Sequence, residues 1–174
     1  FHRIAQSQTV DENTVPLAEF LDIPVEKARE RWAAAGHPDE AGFVVMVSMV
    51  RSYAVMVRRL EEILKPFDLT LTLFETLILL SFTRDGRMPV MRLRDLLIVH
   101  GSSATYLIDR LEKAGWVERE RSTRDRRVTL VHITPAGRRH ISRAVAALGD
   151  AGFGVIGDMS RDDQKALADL LAAL

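Results

Sequence analysis

The stretch RSTRDRRVTLVHITPAGRR, residues 121–139, decides how the rest of the chain is read. It gathers Arg121, Arg124, Arg126 and Arg127 around Asp125, changes to every-other-residue apolar spacing, and ends on a Thr-Pro that suits a helix start. By itself such a loop is a solvated surface turn. The alternation in WVERERS and RRVTLVHIT, however, predicts two strands joined through STRD at a hairpin tip. Val117 points inward on the first strand. Val128 and Leu130 point inward on the second, with Ile133 joining them if the side changes near His132. Thr134-Pro135 then predicts a helix from about Ala136 through Ala147, because proline favours a first helical turn.

Upstream, MRLRDLLIVHGSSATYLIDRLEKAGW predicts two short helices separated by about three residues around His100-Gly101, the spacing of a helix-turn-helix. Leu93, Leu97, Ile108 and Leu111 fall on inward faces. Ser102 or Ser103 can cap the second helix and Gly115 can close it. Helix, turn, helix, charged hairpin, helix is the order of a winged helix-turn-helix, with residues 121–127 as the wing. The predicted fold class is mainly α with a small β-hairpin wing. Such a fold lays one helix in the DNA major groove while an arginine-bearing tip reaches phosphates or the adjacent minor groove. Candidate DNA-contacting residues are Ser102, Ser103, Thr105, Tyr106, Arg121, Arg124, Arg126 and Arg127.

The segment YLIDRLEKAGWVERERSTRDRRVTLVHITPAGRR resembles the signature of the MarR family of bacterial transcriptional regulators, in its RLEKAG helix end, its DRR wing and its HITPAGR exit. The resemblance spans roughly residues 43–174. It implies a winged-helix homodimer with interlocked terminal helices that binds a pseudo-palindromic operator on double-stranded DNA and often releases it to a small molecule. It also implies that Asp125 braces the wing and that Arg127 enters the minor groove. The chain departs from the pattern where Gly101 and Tyr106 stand at places commonly held by arginine, and where the usual turn glycine falls near Ile98. A second resemblance, of KARERWAAAG, is to the urate-responsive branch. It implies a ligand site from Trp32, Glu75 and Arg119 for a small aromatic or anionic effector, although Leu107 replaces that pocket's recognition-helix arginine. The alternative for Trp32 is a packing anchor for an extra helix.

The implied layout is an N-terminal extension over residues 1–40, dimerisation helices over 41–83 and 135–174, and a winged helix-turn-helix lobe over 84–134. Within it, residues 15–35 predict one short and one longer helix ending at Gly36, followed by a hinge at HPDEAG. Phe43 to Leu64 is apolar nearly all round in its first half and predicts a helix buried on more than one side, which suggests a partner subunit. Thr72 with Glu75 fits a capping box for a helix ending at Asp85-Gly86. Ser160 with Asp163 starts a last helix.

Composition bounds the rest. With 174 residues, 47% of them hydrophobic, the chain can bury a real core. It has no cysteine, which removes disulfide, thiolate-metal and thiol-redox chemistry. Net charge is zero, yet residues 84–143 hold 14 Lys/Arg against 7 Asp/Glu, so the basic middle is offset by acidic ends. No run of roughly 20 apolar residues stands out as a bilayer span, and no secretion signal opens the chain. We therefore expect a cytoplasmic protein with no membrane partner. The five histidines show no ligand spacing, so neither a metal nor another cofactor is expected. No GxSxG, HExxH or P-loop motif occurs, which argues against an enzyme. The rival is a winged helix used only for protein-protein contact, and that class should lack an arginine-rich tip.

Overall fold

The computed structural model describes residues 23–97, 101–123, 125, 127–154 and 156–173, and the side chains of residues 101–103 lie outside that description. These residues form two compact units that divide between Ala54 and Val55. The first holds α1 (Val25–Ala34) and the opening half of α2 (Glu40–Leu64). The expected shorter helix ahead of α1 lies outside the described residues. Gly36 follows α1 at φ +70°, a left-handed stop that glycine adopts without steric cost. Asp39 then accepts from the backbone of Gly42 at 3.0 Å and opens α2. Val45, Met46, Met49, Val50 and Tyr53 are all exposed along α2 in the single chain. The stretch Glu40–Phe67 is, by length and composition, long and apolar enough to cross a membrane. That corrects the expectation that no such run exists: the scattered Ser, Arg and Tyr residues that break the run in sequence leave its average apolar.

In the second unit α2 ends in a 3-10 turn, Lys65–Phe67, and Asp68 at φ 53° turns the chain into α3 (Leu71–Phe82). A short strand β1 (Arg87–Pro89) precedes α4 (Val90–Leu96). Then come α5 (Gly101–Lys113), β2 (Val117–Arg121), β3 (Thr129–Ile133), α6 (Pro135–Asp150) and α7 (Arg161–Ala172), with a 3-10 turn at Ile156–Asp158. The three strands are antiparallel in the order β1-β3-β2. Their inner side, Met88, Val117, Val131 and Ile133, meets Leu73, Leu77, Leu80, Leu93, Ile108, Leu111 and Leu148 in one core. The wing's base is thus buried in the core that seats the helices.

Caps fix where the hairpin meets its helices. Gly115, at φ +73°, ends α5, with Trp116 N bonded back to Leu111 O. Thr134 Oγ1 accepts from Gly137 N at 3.0 Å and donates to Gly115 O at 2.8 Å, so one hydroxyl joins both ends of the hairpin. A Cβ at Gly137 would stand 2.1 Å from Trp116 O, so α6 lies directly on the backbone leading into β2. Trp116 stacks on His140 with centroids 3.9 Å apart, and His140 Nε2 bonds Phe67 O at 2.8 Å. Ser160 accepts from Asp163 N at 3.2 Å and starts α7 as expected.

Four expectations change. Thr70, not Thr72, caps α3: it is extended and accepts from Leu73 N, so Glu75 belongs to no capping box. That helix stops at Phe82, with Thr83 as its C-cap, ahead of Asp85-Gly86. On β3 the inward residues are Val131 and Ile133, not Val128 and Leu130, because Val117 pairs with Ile133 and Arg119 with Val131. Ser102 and Ser103 lie inside the first turn of a helix that opens at Gly101, so neither occupies the capping position. The strand β1 was not anticipated; three residues ending in proline are too short to show a period.

Candidate nucleic-acid interface

Helix α5 is amphipathic at helical spacing. Ala104, Leu107, Ile108 and Leu111 are buried, while Thr105, Tyr106, Asp109, Glu112 and Lys113 are exposed. Tyr106 is 61% exposed, so it stands out from the helix and is not packed away. Burial of Leu107 explains why no charged residue occupies that place. Thr105 sits beside Tyr106 on the outer face, and the backbone of Ser102 and Ser103 lies one turn nearer the start of the helix.

The wing loop follows Arg121, the exposed last residue of β2, which pairs with Thr129. Ser122 N bonds Val128 O at 2.9 Å and Val128 N bonds Asp125 O at 2.9 Å, which closes the loop. Asp125 accepts from Arg127 N at 3.0 Å and from that residue's Nε and Nη2 at 3.1 Å each. These bonds hold the Asp125 carboxyl below the usual aspartate range, the Arg127 side chain contributing most. The Arg127 side chain is 91% exposed, so the carboxylate orients a cation that still faces solvent. Arg124 and Arg126 lie outside the described residues.

Arg119, on β2 below the tip, is differently placed. Its side chain is only 26% exposed and it pairs with both Asp109 and Glu112 of α5. Its Nη2 also reaches Thr105 O at 3.4 Å, and its backbone N–H donates to Glu112 at 3.2 Å. Glu75 is on α3, where burial raises its carboxyl above the usual range. Trp32 belongs to the first unit. It stacks on Phe43 at 4.0 Å, lies 4.5 Å from His37, and donates Nε1–H to Pro38 O at 2.8 Å. Arg29 links α1 to α2 through Glu40 at 2.7 Å and also bonds Glu26, and these partners raise its already high pKa.

Two open clefts flank an Asp68–Arg110 ion pair of 3.6 Å. One, of about 400 Å³, is lined by Arg58, Glu61, Glu62, Lys65, Thr70 and both members of the pair. The other, of about 620 Å³, includes Tyr106, Asp109 and Lys113. Neither includes Glu75 or Arg119. No group of residues able to hold a metal ion occurs among the described residues.

A buried three-stranded sheet under a helix-turn-helix, with an exposed cationic tip, is a winged helix, and residues 69–129 match the model of the MarR family. Over residues 69–129 the chain resembles a MarR-family winged helix. The chain is similar to Sco5413, a MarR family transcriptional regulator from Streptomyces coelicolor. Identity is 26%, coverage is 76% of this chain and 91% of that one, and the TM-score is 0.69. It is similar to a mutant MarR from E. coli complexed with operator DNA at 26% identity, over 76% and 93% of the two chains, with a TM-score of 0.64. The multiple antibiotic resistance protein MarR of Salmonella typhimurium is 36% identical over 80 residues, 46% of this chain and 54% of that protein. The chain therefore spans about half the length of that curated relative. These similar proteins are named as MarR or as MarR family transcriptional regulators, and none is named as an enzyme.

Sequence reasoning missed the pairing of Arg119 with Asp109 and Glu112. The acidic residues sit 10 and 7 positions earlier on a different element, so no local spacing signals it.

Proposed function

We propose that this chain is a DNA-binding transcriptional regulator that works as a homodimer on a pseudo-palindromic operator, and that it is a repressor. The observation that carries the reading is the pairing of an outward α5 face with an exposed, aspartate-braced arginine at the wing tip. The helix supplies groove contacts from Ser102, Ser103, Thr105 and Tyr106, and the wing supplies phosphate or minor-groove contacts from Arg121, Arg124, Arg126 and Arg127. Similarity to a MarR bound to operator DNA supports the same docking. The exposed apolar side chains of α2 and Leu167, Leu170 and Leu171 of α7 support a subunit interface. We assign them to a partner copy and not to a bilayer, so the regulator acts in the cytoplasm with its DNA. The helices over 41–83 and 135–174 form the dimerisation region and residues 84–134 the DNA-binding lobe.

Release by an aromatic or anionic effector completes the reading. Arg58, Lys65 and Arg110 in the smaller cleft supply cations for a carboxylate. The alternative set of Trp32, Glu75 and Arg119 has a stacking face in Trp32, but Trp32 and Arg119 already hold the protein partners described above. An effector acts by binding one half-site spacing better than the other.

Fluorescence anisotropy against the DNA upstream of the protein's own gene tests the function, with and without salicylate, urate and other aromatic acids. Tight, salt-sensitive binding at two subunits per site is expected. A folded dimer that binds no such duplex would instead favour the protein-interaction reading.

A further inference from the structure

Arg119 is more than a surface ion pair. One guanidinium meets Asp109, Glu112 and the Thr105 carbonyl, three places along a single face of α5, while its own backbone N–H is held by Glu112. Only 26% of its side chain is exposed, so solvent screens these contacts less than it screens the wing tip. The arrangement connects β2, which carries the wing, to the helix that carries Thr105 and Tyr106. It also keeps two carboxylates on a helix that must approach phosphates, an electrostatic cost that a purely DNA-attracting surface would avoid.

We propose that Arg119 is a positioning residue that locks the wing to the recognition helix, so that both reach one duplex in register. The proposal rests on the DNA-binding reading above and names a residue outside the contact surface. The wing's orientation then depends on Asp109 and Glu112, even though both are anionic.

The test turns on a sign. Removing both carboxylates, as Asp109→Asn with Glu112→Gln, takes two negative charges away from the DNA-facing helix. Electrostatics alone then predicts tighter binding. Loss of the lock predicts the reverse: affinity in an anisotropy titration falls about fivefold, within the range for residues coupled in one network. Arg127→Ala, which costs wild type much of its wing contribution, should cost this double variant much less, because an unlocked wing no longer delivers Arg127. Arg119→Lys keeps the charge but cannot fork to both carboxylates, and should weaken binding in the same way. It serves if the double variant does not fold. Unchanged or tighter binding by the folded variants overturns the lock. So does an Arg127→Ala loss of equal factor on both backgrounds, which makes wing and helix independent. Failure of wild type to bind any duplex overturns the DNA reading and the lock with it, whereas binding by wild type with independent losses overturns the lock alone.

Discussion

The base and the tip of the same hairpin are built on opposite terms. At the base, Val117 and Val131 are fully buried and Ile133 nearly so, and Thr134 ties the hairpin's two ends together. At the tip, the Arg127 side chain is 91% exposed and its carboxylate partner among the described residues, Asp125, lies two residues away. The base takes its position from long-range apolar packing, which is insensitive to salt. The tip takes its position from local backbone bonds and from Asp125, which orients Arg127, and its charge is left facing solvent. A hairpin so divided can present a cation at a fixed place without burying it, which suits a phosphate partner.

The comparison breaks if base and tip respond alike to mutation. The largest effect is expected from Leu111→Ala, which opens a cavity in the core against which the hairpin base packs. Urea denaturation should show a loss of about 2–5 kcal/mol. Thr134→Ala removes a helix cap and a bond to Gly115 together, and should cost roughly 1–2 kcal/mol in the same experiment. Arg127→Ala should change stability by less than about 0.5 kcal/mol, since exposed ion pairs contribute little. It should nevertheless weaken DNA binding across sequences and reduce the salt slope by about one unit. A stability loss matching that of Leu111→Ala would erase the distinction.

The smallest effect sharpens the comparison. The Asp125 carboxyl is held below its usual value by Arg127, so whatever it contributes is present above an unfolded value of about 3.9 and disappears as pH falls through the lower folded value. The backbone amide of Arg127, followed by NMR, should therefore titrate below pH ~3.9. Core amides packed on Leu111 should not follow that transition. A midpoint at the ordinary aspartate value would remove the brace.

Much of this architecture was readable because local chemistry announces it. Gly115, Thr134-Pro135 and Ser160 are cap residues whose effect lies within four positions, and each ends or begins its helix as expected. The wing was readable from its charge cluster set between alternating runs. The inward phase of β3 was misread because both Leu130 and Val131 are apolar, so alternation alone does not choose a face; pairing with β2 does. Thr70 and Thr72 likewise offer the same hydroxyl two residues apart, and only the backbone turn at Asp68 selects the first. The role of Arg119 was hidden because its partners are on another element, and resemblance suggested a ligand for a side chain that the fold already employs.

The contact between Gly137 and the Trp116 carbonyl has a consequence for genetics. The clash of any Cβ there is with backbone, which cannot rotate aside. In a library randomised at position 137 and selected for folded protein, glycine should be the single survivor. A library at the exposed wing-tip position 127, selected the same way, should return nearly every residue.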